Sequence, residues 1–182
     1  MGKGGLKLAF ALDHFNLEVA GLVVADLGCH VGGSTDCLLQ RNASRVYAVD
    51  TGYGLLSWKL RTDPRVVVCE RTNALHWHHP EPLQLVSSDL GWTRQRLALP
   101  AIARMLGPGA RALSLVKPQY ELGMSGSRPG GGVVPTERIP GLLEEVQAHC
   151  PTELEIAGMV ESPYRGSGGN TEFWLHVVRR SG

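Results

Sequence analysis

Apolar positions along the chain follow a helical spacing in some stretches and form short unbroken runs in others. Leu8, Leu12 and Phe15 fall on one face of a helix predicted over Leu6–Phe15. Leu22–Leu27 predicts an apolar strand, and a glycine turn separates it from a helix over Gly33–Gln40. Arg45–Asp50 reads as a second strand, followed by a short helix around Leu55–Leu60 and a third strand at Arg65–Cys69. Leu83–Ser88 predicts a strand, Arg94–Leu106 a helix and Ala110–Lys117 another strand. The glycine-rich stretch Pro118–Pro135 reads as a loop. A helix near Thr136–His149 and two strands, Leu154–Glu161 and Thr171–Val178, complete the pattern. Alternating strands and helices predict a mostly parallel sheet with helices on both faces. The last two strands have no helix between them and predict an antiparallel hairpin at one edge. The expected fold class is an open, doubly wound α/β sheet, whose ligands bind outside the carboxyl ends of the strands.

Composition narrows the setting. A chain of 182 residues suits one domain, here 1–182. Its hydrophobic fraction of 43% and charged fraction of 19% are those of a globular protein rather than a disordered one. No apolar stretch approaches the ~18–20 residues of a membrane span, and the polar start Met-Gly-Lys-Gly-Gly lacks a secretory core. The expectation is a soluble, cytoplasmic protein with no membrane partner. With 18 basic against 17 acidic residues, the balance does not mark a dedicated nucleic-acid binder, although a local basic face is compatible with it. The four cysteines form no Cys-x-x-Cys pair and read as buried thiols. His76, His78 and His79 lack a metal-ligand spacing with cysteines or acids, so no metal is expected.

The strand ends carry the candidate chemistry. The first strand runs into Asp26-Leu-Gly28-Cys-His-Val-Gly32-Gly33-Ser34-Thr35. Glycines there let the backbone approach a ligand, and the helix that follows presents free N–H groups. Twenty-four residues after Asp26, Asp50 ends the second strand, where it can accept hydrogen bonds from ribose hydroxyls. A dinucleotide site would place Gly-x-Gly-x-x-Gly against a pyrophosphate. Here Gly28 and Gly32 are spaced Gly-x-x-x-Gly behind an acid, which would repel a pyrophosphate. Asp26 instead suits a cationic ligand such as S-adenosylmethionine, held directly or through water. Asn73, after the third strand, is a candidate adenine contact or a turn-forming asparagine.

Eight segments, in order, resemble the FtsJ-like ribose 2′-O-methyltransferases, and among them the catalytic domain of TlyA-like rRNA methyltransferases. They are Gly-Gly-Leu-Lys-Leu at 4–8, Asp-Leu-Gly-Cys-His-Val-Gly-Gly-Ser-Thr-Asp at 26–36 and Val-Tyr-Ala-Val-Asp-Thr-Gly-Tyr-Gly at 46–54. The others start at Trp58 (Trp-Lys-Leu-Arg), Asp63 (Asp-Pro-Arg-Val-Val-Val), Glu70 (Glu-Arg-Thr-Asn), Val116 (Val-Lys-Pro-Gln-Tyr-Glu) and Ser162 (Ser-Pro-Tyr-Arg-Gly-Ser-Gly-Gly-Asn-Thr-Glu). The resemblance implies a Rossmann-like fold, S-adenosylmethionine as cofactor and RNA, above all ribosomal RNA, as substrate. It also implies a catalytic Lys–Asp–Lys–Glu tetrad, whose members here would be Lys7, Asp89, Lys117 and Glu172. The cofactor set it implies is Asp26, Gly28, Gly32, Gly33, Ser34, Thr35, Asp50, Asn73 and Asp89. Independently of the family, Lys117 follows an apolar strand and precedes a proline, so a lysine is delivered where the chain stops extending. Asp89 is the acid at the neighbouring strand end.

TlyA-like proteins carry an S4-type RNA-binding domain ahead of the catalytic one, whereas this chain begins almost at Gly-Gly-Leu-Lys-Leu. Arg61, Arg65, Arg71, Arg94, Arg96 and Arg165 are candidate phosphate contacts, and Gly123–Val134, with Arg128, a candidate lid. Two other readings stay open: methyl transfer to a different acceptor, and a non-catalytic S-adenosylmethionine-binding module.

Overall fold

The computed structural model describes residues 2–123, 132–166 and 168–181. Its centre is one seven-stranded sheet. In chain order the elements are α1 (Lys3–His14), β1 (Val23–Leu27), α2 (Gly33–Gln40), β2 (Arg45–Val49), α3 (Trp58–Arg61), β3 (Val66–Cys69) and β4 (Leu83–Ser88). Then come α4 (Gln95–Met105), β5 (Leu106–Val116), α5 (Pro118–Glu121), α6 (Ile139–Ala148), β6 (Leu154–Glu161) and β7 (Phe173–Arg179). The strands lie in the order β3-β2-β1-β4-β5-β7-β6. β1 to β5 pair in parallel, and β7 runs antiparallel to both β5 and β6. The expected hairpin at the edge is therefore present, with its second strand inserted next to β5.

Each face of the sheet buries a separate apolar layer. Leu8 and Leu12 of α1 and Cys37 and Leu38 of α2 pack with Val24, Val46, Leu113 and Trp174. Leu99 and Ile102 of α4 and Leu142 and Val146 of α6 pack with Ala25, Val86, Val116 and Leu175 on the other side. Alternate residues of each strand thus face opposite layers, as a sheet covered on both sides requires.

Some boundaries differ from the sequence reading. β5 begins at Leu106, directly after α4, rather than at Ala110. Leu83 pairs with Leu106 and Leu85 with Arg111, so the intervening Gly-Pro-Gly-Ala segment bulges out of the ladder. That segment looks like a turn in the sequence because proline and glycine punctuate chains. Pro118 likewise opens a single helical turn, α5, inside the stretch read as loop. Arg128 and the rest of 124–131 lie outside the described residues.

Candidate active site

At the carboxyl ends of β1, β2 and β4 the sheet opens into a cleft of about 530 Å³, whose wall includes Gly28, His30, Asp50, Asn73, Asp89 and Lys117. The order β2-β1-β4 places the chain's crossover point here, because β1 is followed on one side by β2 and on the other by β4. Gly28 has φ +83°, and a Cβ on it would come 2.5 Å from the carbonyl oxygen of Asp89. The turn after β1 therefore lies directly on the end of β4, an approach only glycine permits. Gly28→Ala is expected to destabilise the fold by about 2 kcal/mol or more, read as a lower denaturation midpoint, and to weaken cofactor binding in parallel.

Three carboxylates converge at these strand ends. Asp50 accepts from the His30 amide (2.9 Å) and the Gly52 amide (2.7 Å), so its carboxylate is oriented by backbone before any ligand arrives. Asp26 is fully buried behind the wall. One of its oxygens accepts from the Thr35 hydroxyl (2.7 Å), while Oδ1 has no partner among the described residues. Burial pushes its carboxyl up to about 7, against the pull of Thr35, and the charges of Asp89 and Asp50 add to the rise. Asp89, on the wall, forms an ion pair with Lys117.

Lys7 and Glu172 form a second, deeply buried ion pair. The backbone explains how residues so far apart meet. β7 is antiparallel to β5 with Val116 opposite Phe173. The next positions outward are Lys117 and Glu172, so Glu172 arrives at the cleft end of the sheet although it precedes its strand. Lys7 comes from α1, which lies so close on α2 that a Cβ on Gly33 would approach the Gly5 amide nitrogen at 3.0 Å. Gly166 leaves room for the Glu172 carboxylate, since a Cβ there would collide with it. The four residues of the expected tetrad thus stand as two lysine–carboxylate pairs, one on the cleft wall and one buried.

Other expected residues are placed differently. Gly32, Gly33, Ser34 and Thr35 are not on the cleft wall. Gly33 packs against α1, Ser34 is buried beside Gly4, and Thr35 is engaged with Asp26. Asn73 is on the wall, and its Oδ1 caps a short 3-10 turn by accepting from the Leu75 amide (2.9 Å). Among the arginines, Arg61 pairs with Glu70, Arg65 with Asp63 and Arg165 with Glu161. Arg71 lies over the Tyr53 ring at 4.2 Å, and Arg94 and Arg96 line a separate recess. His79 bonds the carbonyls of Glu81 and Arg104, and no group of metal-ligating residues gathers among the described residues. No helix there is long and apolar enough to cross a membrane.

Sequence reasoning missed His30, Thr51, Thr72, Trp92 and Thr93, which also line the cleft. His30 (φ +48°) and Trp92 (φ +59°) take left-handed backbone conformations that are uncommon for such residues. Their signal in the sequence was position alone: each lies within a few residues of a strand's carboxyl end.

A seven-stranded, mostly parallel sheet with its acids at the β1, β2 and β4 ends is the architecture of nucleoside-cofactor methyltransferases. The chain belongs to the FtsJ-like methyltransferase family, whose profile matches residues 1–179. It is 38% identical to YqxC of Bacillus subtilis, provisionally named an rRNA methyltransferase, over 97% of this chain and 65% of that one. It is 39% identical to the 16S/23S rRNA (cytidine-2′-O)-methyltransferase TlyA of Mycobacterium tuberculosis, over 96% of this chain and 67% of the relative. A structure from Streptococcus thermophilus, provisionally named a hemolysin, superposes with a TM-score of 0.91 at 37% identity, covering all of this chain and 67% of that one. The chain spans about two thirds of the length of the curated relatives it matches. S-adenosylmethionine is the cofactor of such methyltransferases, and the residues present fit it. A cleft walled by Asp50 and Asp89 suits ribose hydroxyls and a positively charged centre, and the unpartnered buried oxygen of Asp26 suits an ammonium group or a bridging water.

Proposed function

We propose that this chain transfers a methyl group from S-adenosylmethionine to a ribose 2′-hydroxyl of RNA, with ribosomal RNA as the substrate class. The observation that carries the reading is the Lys117–Asp89 pair on the wall of the same cleft that Gly28 and Asp50 line. The names of YqxC and TlyA point to rRNA, and that of TlyA to the 2′-oxygen. An RNA substrate of this kind fits a cytoplasmic protein, with residues 1–182 acting as one FtsJ-like domain.

In this reading Asp50 takes the ribose hydroxyls of the cofactor, the amide of Asn73 faces the adenine, and Asp26 and Asp89 favour the cofactor's positive charge. When bound, the cofactor supplies an electrophilic methyl group on a sulfonium. The attacking 2′-oxygen would take the methyl group and release its proton to solvent, and the cofactor would leave as a neutral thioether. Negative charge grows on that oxygen on the way, and Lys117 stands on the wall to stabilise it. Asp89 orients Lys117, Glu172 orients Lys7, and Lys7 helps hold the ribose or its neighbouring phosphate. Alignment of the oxygen with the methyl group supplies much of the acceleration, about 7–11 kcal/mol in well-oriented systems.

The test is transfer of labelled methyl from S-adenosylmethionine to unmodified ribosomal subunits and to naked total RNA, followed by digestion to nucleosides. Label on a ribose 2′-oxygen is the expected result. Label on a base or on protein, or none despite measurable cofactor binding, overturns the reading. Asp50→Ala is expected to weaken cofactor binding about 10–100-fold, as loss of charge-assisted hydrogen bonds does, measured by titration calorimetry.

A further inference from the structure

Lys117 leaves β5 into a sharp change of direction. Pro118 occupies the first position of α5, and the Tyr120 amide donates to the Lys117 carbonyl (2.9 Å), folding the tyrosine back toward the lysine. The Lys117 ammonium lies 5.7 Å from the centre of the Tyr120 ring, within the ~6 Å reach of a cation–π contact. The Tyr120 ring is braced in turn. Trp92, from the loop after β4, meets it with ring centres 5.2 Å apart and planes inclined by 34°. Glu121 accepts from the Gln95 amide (2.8 Å), tying α5 to the start of α4. The Gln95 side chain is itself fixed, donating to the Leu115 carbonyl (3.1 Å) and accepting from Ser114 (2.7 Å).

A lysine ammonium sits on a flexible four-carbon stem, and one carboxylate constrains its distance better than its direction. Asp89 provides the first constraint. A ring face at the end of a braced helical turn provides a second, and it adds no competing hydrogen-bond acceptor for the ammonium.

We propose that Tyr120 is a positioning residue that acts through Lys117: its ring face, steadied by Trp92, sets the direction in which the ammonium of the Lys117–Asp89 pair points. The inference rests on the reading that Lys117 serves the attacking hydroxyl. Because the ring face does the work, the phenolic hydroxyl is dispensable.

Tyr120→Phe and Tyr120→Leu separate the two parts. Tyr120→Phe is expected to keep the rate of methyl transfer within about twofold, and Tyr120→Leu to lower kcat roughly tenfold. The KM for RNA and the affinity for S-adenosylmethionine stay unchanged in both. An equal loss in the two variants, an unchanged kcat in Tyr120→Leu, or a loss confined to KM overturns the proposal. A second readout needs no activity. In protein labelled with carbon-13 lysine, the ε-methylene signal of Lys117, assigned by its disappearance in Lys117→Ala, is expected to be displaced by the ring current. The displacement persists in Tyr120→Phe and collapses in Tyr120→Leu; an unmoved signal in Tyr120→Leu overturns the proposal. A wild-type protein that binds cofactor but methylates no RNA overturns the functional reading instead, and the lysine signal still decides where Tyr120 holds the ammonium.

Discussion

Lys117→Ala is expected to slow methyl transfer about 10²–10³-fold, the usual effect of removing one group aimed at developing negative charge. Cofactor affinity is expected to change by no more than about twofold, for an electrostatic reason: an ammonium and a sulfonium repel, so a lysine here is not what holds a cationic cofactor. Its removal leaves Asp89 without its cation; the Asp89 side chain is 22% exposed, but the Oδ1 that faces the lysine is itself buried. The denaturation midpoint of the variant, measured alongside, separates a loss of rate from a loss of fold. Single-turnover transfer, with cofactor affinity by calorimetry, checks the division of labour. Comparable losses of binding in Lys117→Ala and Asp50→Ala would contradict it.

The second large effect concerns stability. Asp26 has its carboxyl pushed up to about 7 by burial, so between the ordinary aspartate range and pH 7 the folded chain binds a proton that the unfolded chain has released. Stability contributed by this site therefore falls as pH rises through that window, and the full loss, on the order of 4 kcal/mol, is reached above about pH 7. Asp26→Asn removes the titration and keeps an oxygen for the Thr35 hydroxyl. The variant is expected to match the wild type near pH 4 and to exceed it by about 2–4 kcal/mol at pH 8, in denaturant unfolding at both pH values. Its cofactor affinity is expected to drop, since the buried negative charge is gone. Identical pH dependence of stability in the two proteins would count against this account. A fully buried residue that weakens the fold at working pH and, in the proposed reading, favours a cationic cofactor exemplifies stability given up for binding.

Most of the sheet is legible in the sequence because its strands are apolar runs bounded by glycine or polar turns, and the runs from Leu83 and Leu154 end where the strands end. The β5 start was not legible, because Gly107-Pro108-Gly109 carries the local chemistry of a turn while tertiary pairing to Leu83 makes Leu106 a strand residue. For the site, Asp50, Asp89 and Lys117 could be singled out by one topological rule, that parallel strands present ligand-binding residues at their carboxyl ends. Lys7 and Glu172 could not. One lies on a helix before the sheet and the other just ahead of an antiparallel strand, so only the resemblance of motifs pointed to them. Spacing alone also cannot separate a glycine that admits a ligand from one that admits a neighbouring helix. Gly28 lies on the cleft, whereas Gly33 meets α1. Asn73 illustrates the same ambiguity for a polar residue, since it is on the cleft wall while its oxygen is committed to a turn.

The ion pair of Lys7 with Glu172 joins residues 165 positions apart, and this orders the steps by which the two ends of the described chain come together. During synthesis the lysine emerges before β1 to β5 and the cleft they form, and its carboxylate partner follows only after β6. At about 5–20 residues per second, the 165 positions between them take roughly 8–33 s to emerge, and throughout that time a lysine destined for the interior lacks this counter-charge. Placement of β7 between β5 and β6 completes the sheet and brings Glu172 to Lys7. The cleft and the buried pair are thus completed by different parts of the chain, the first by β1 to β5 and the second only once the segment ahead of β7 is in place.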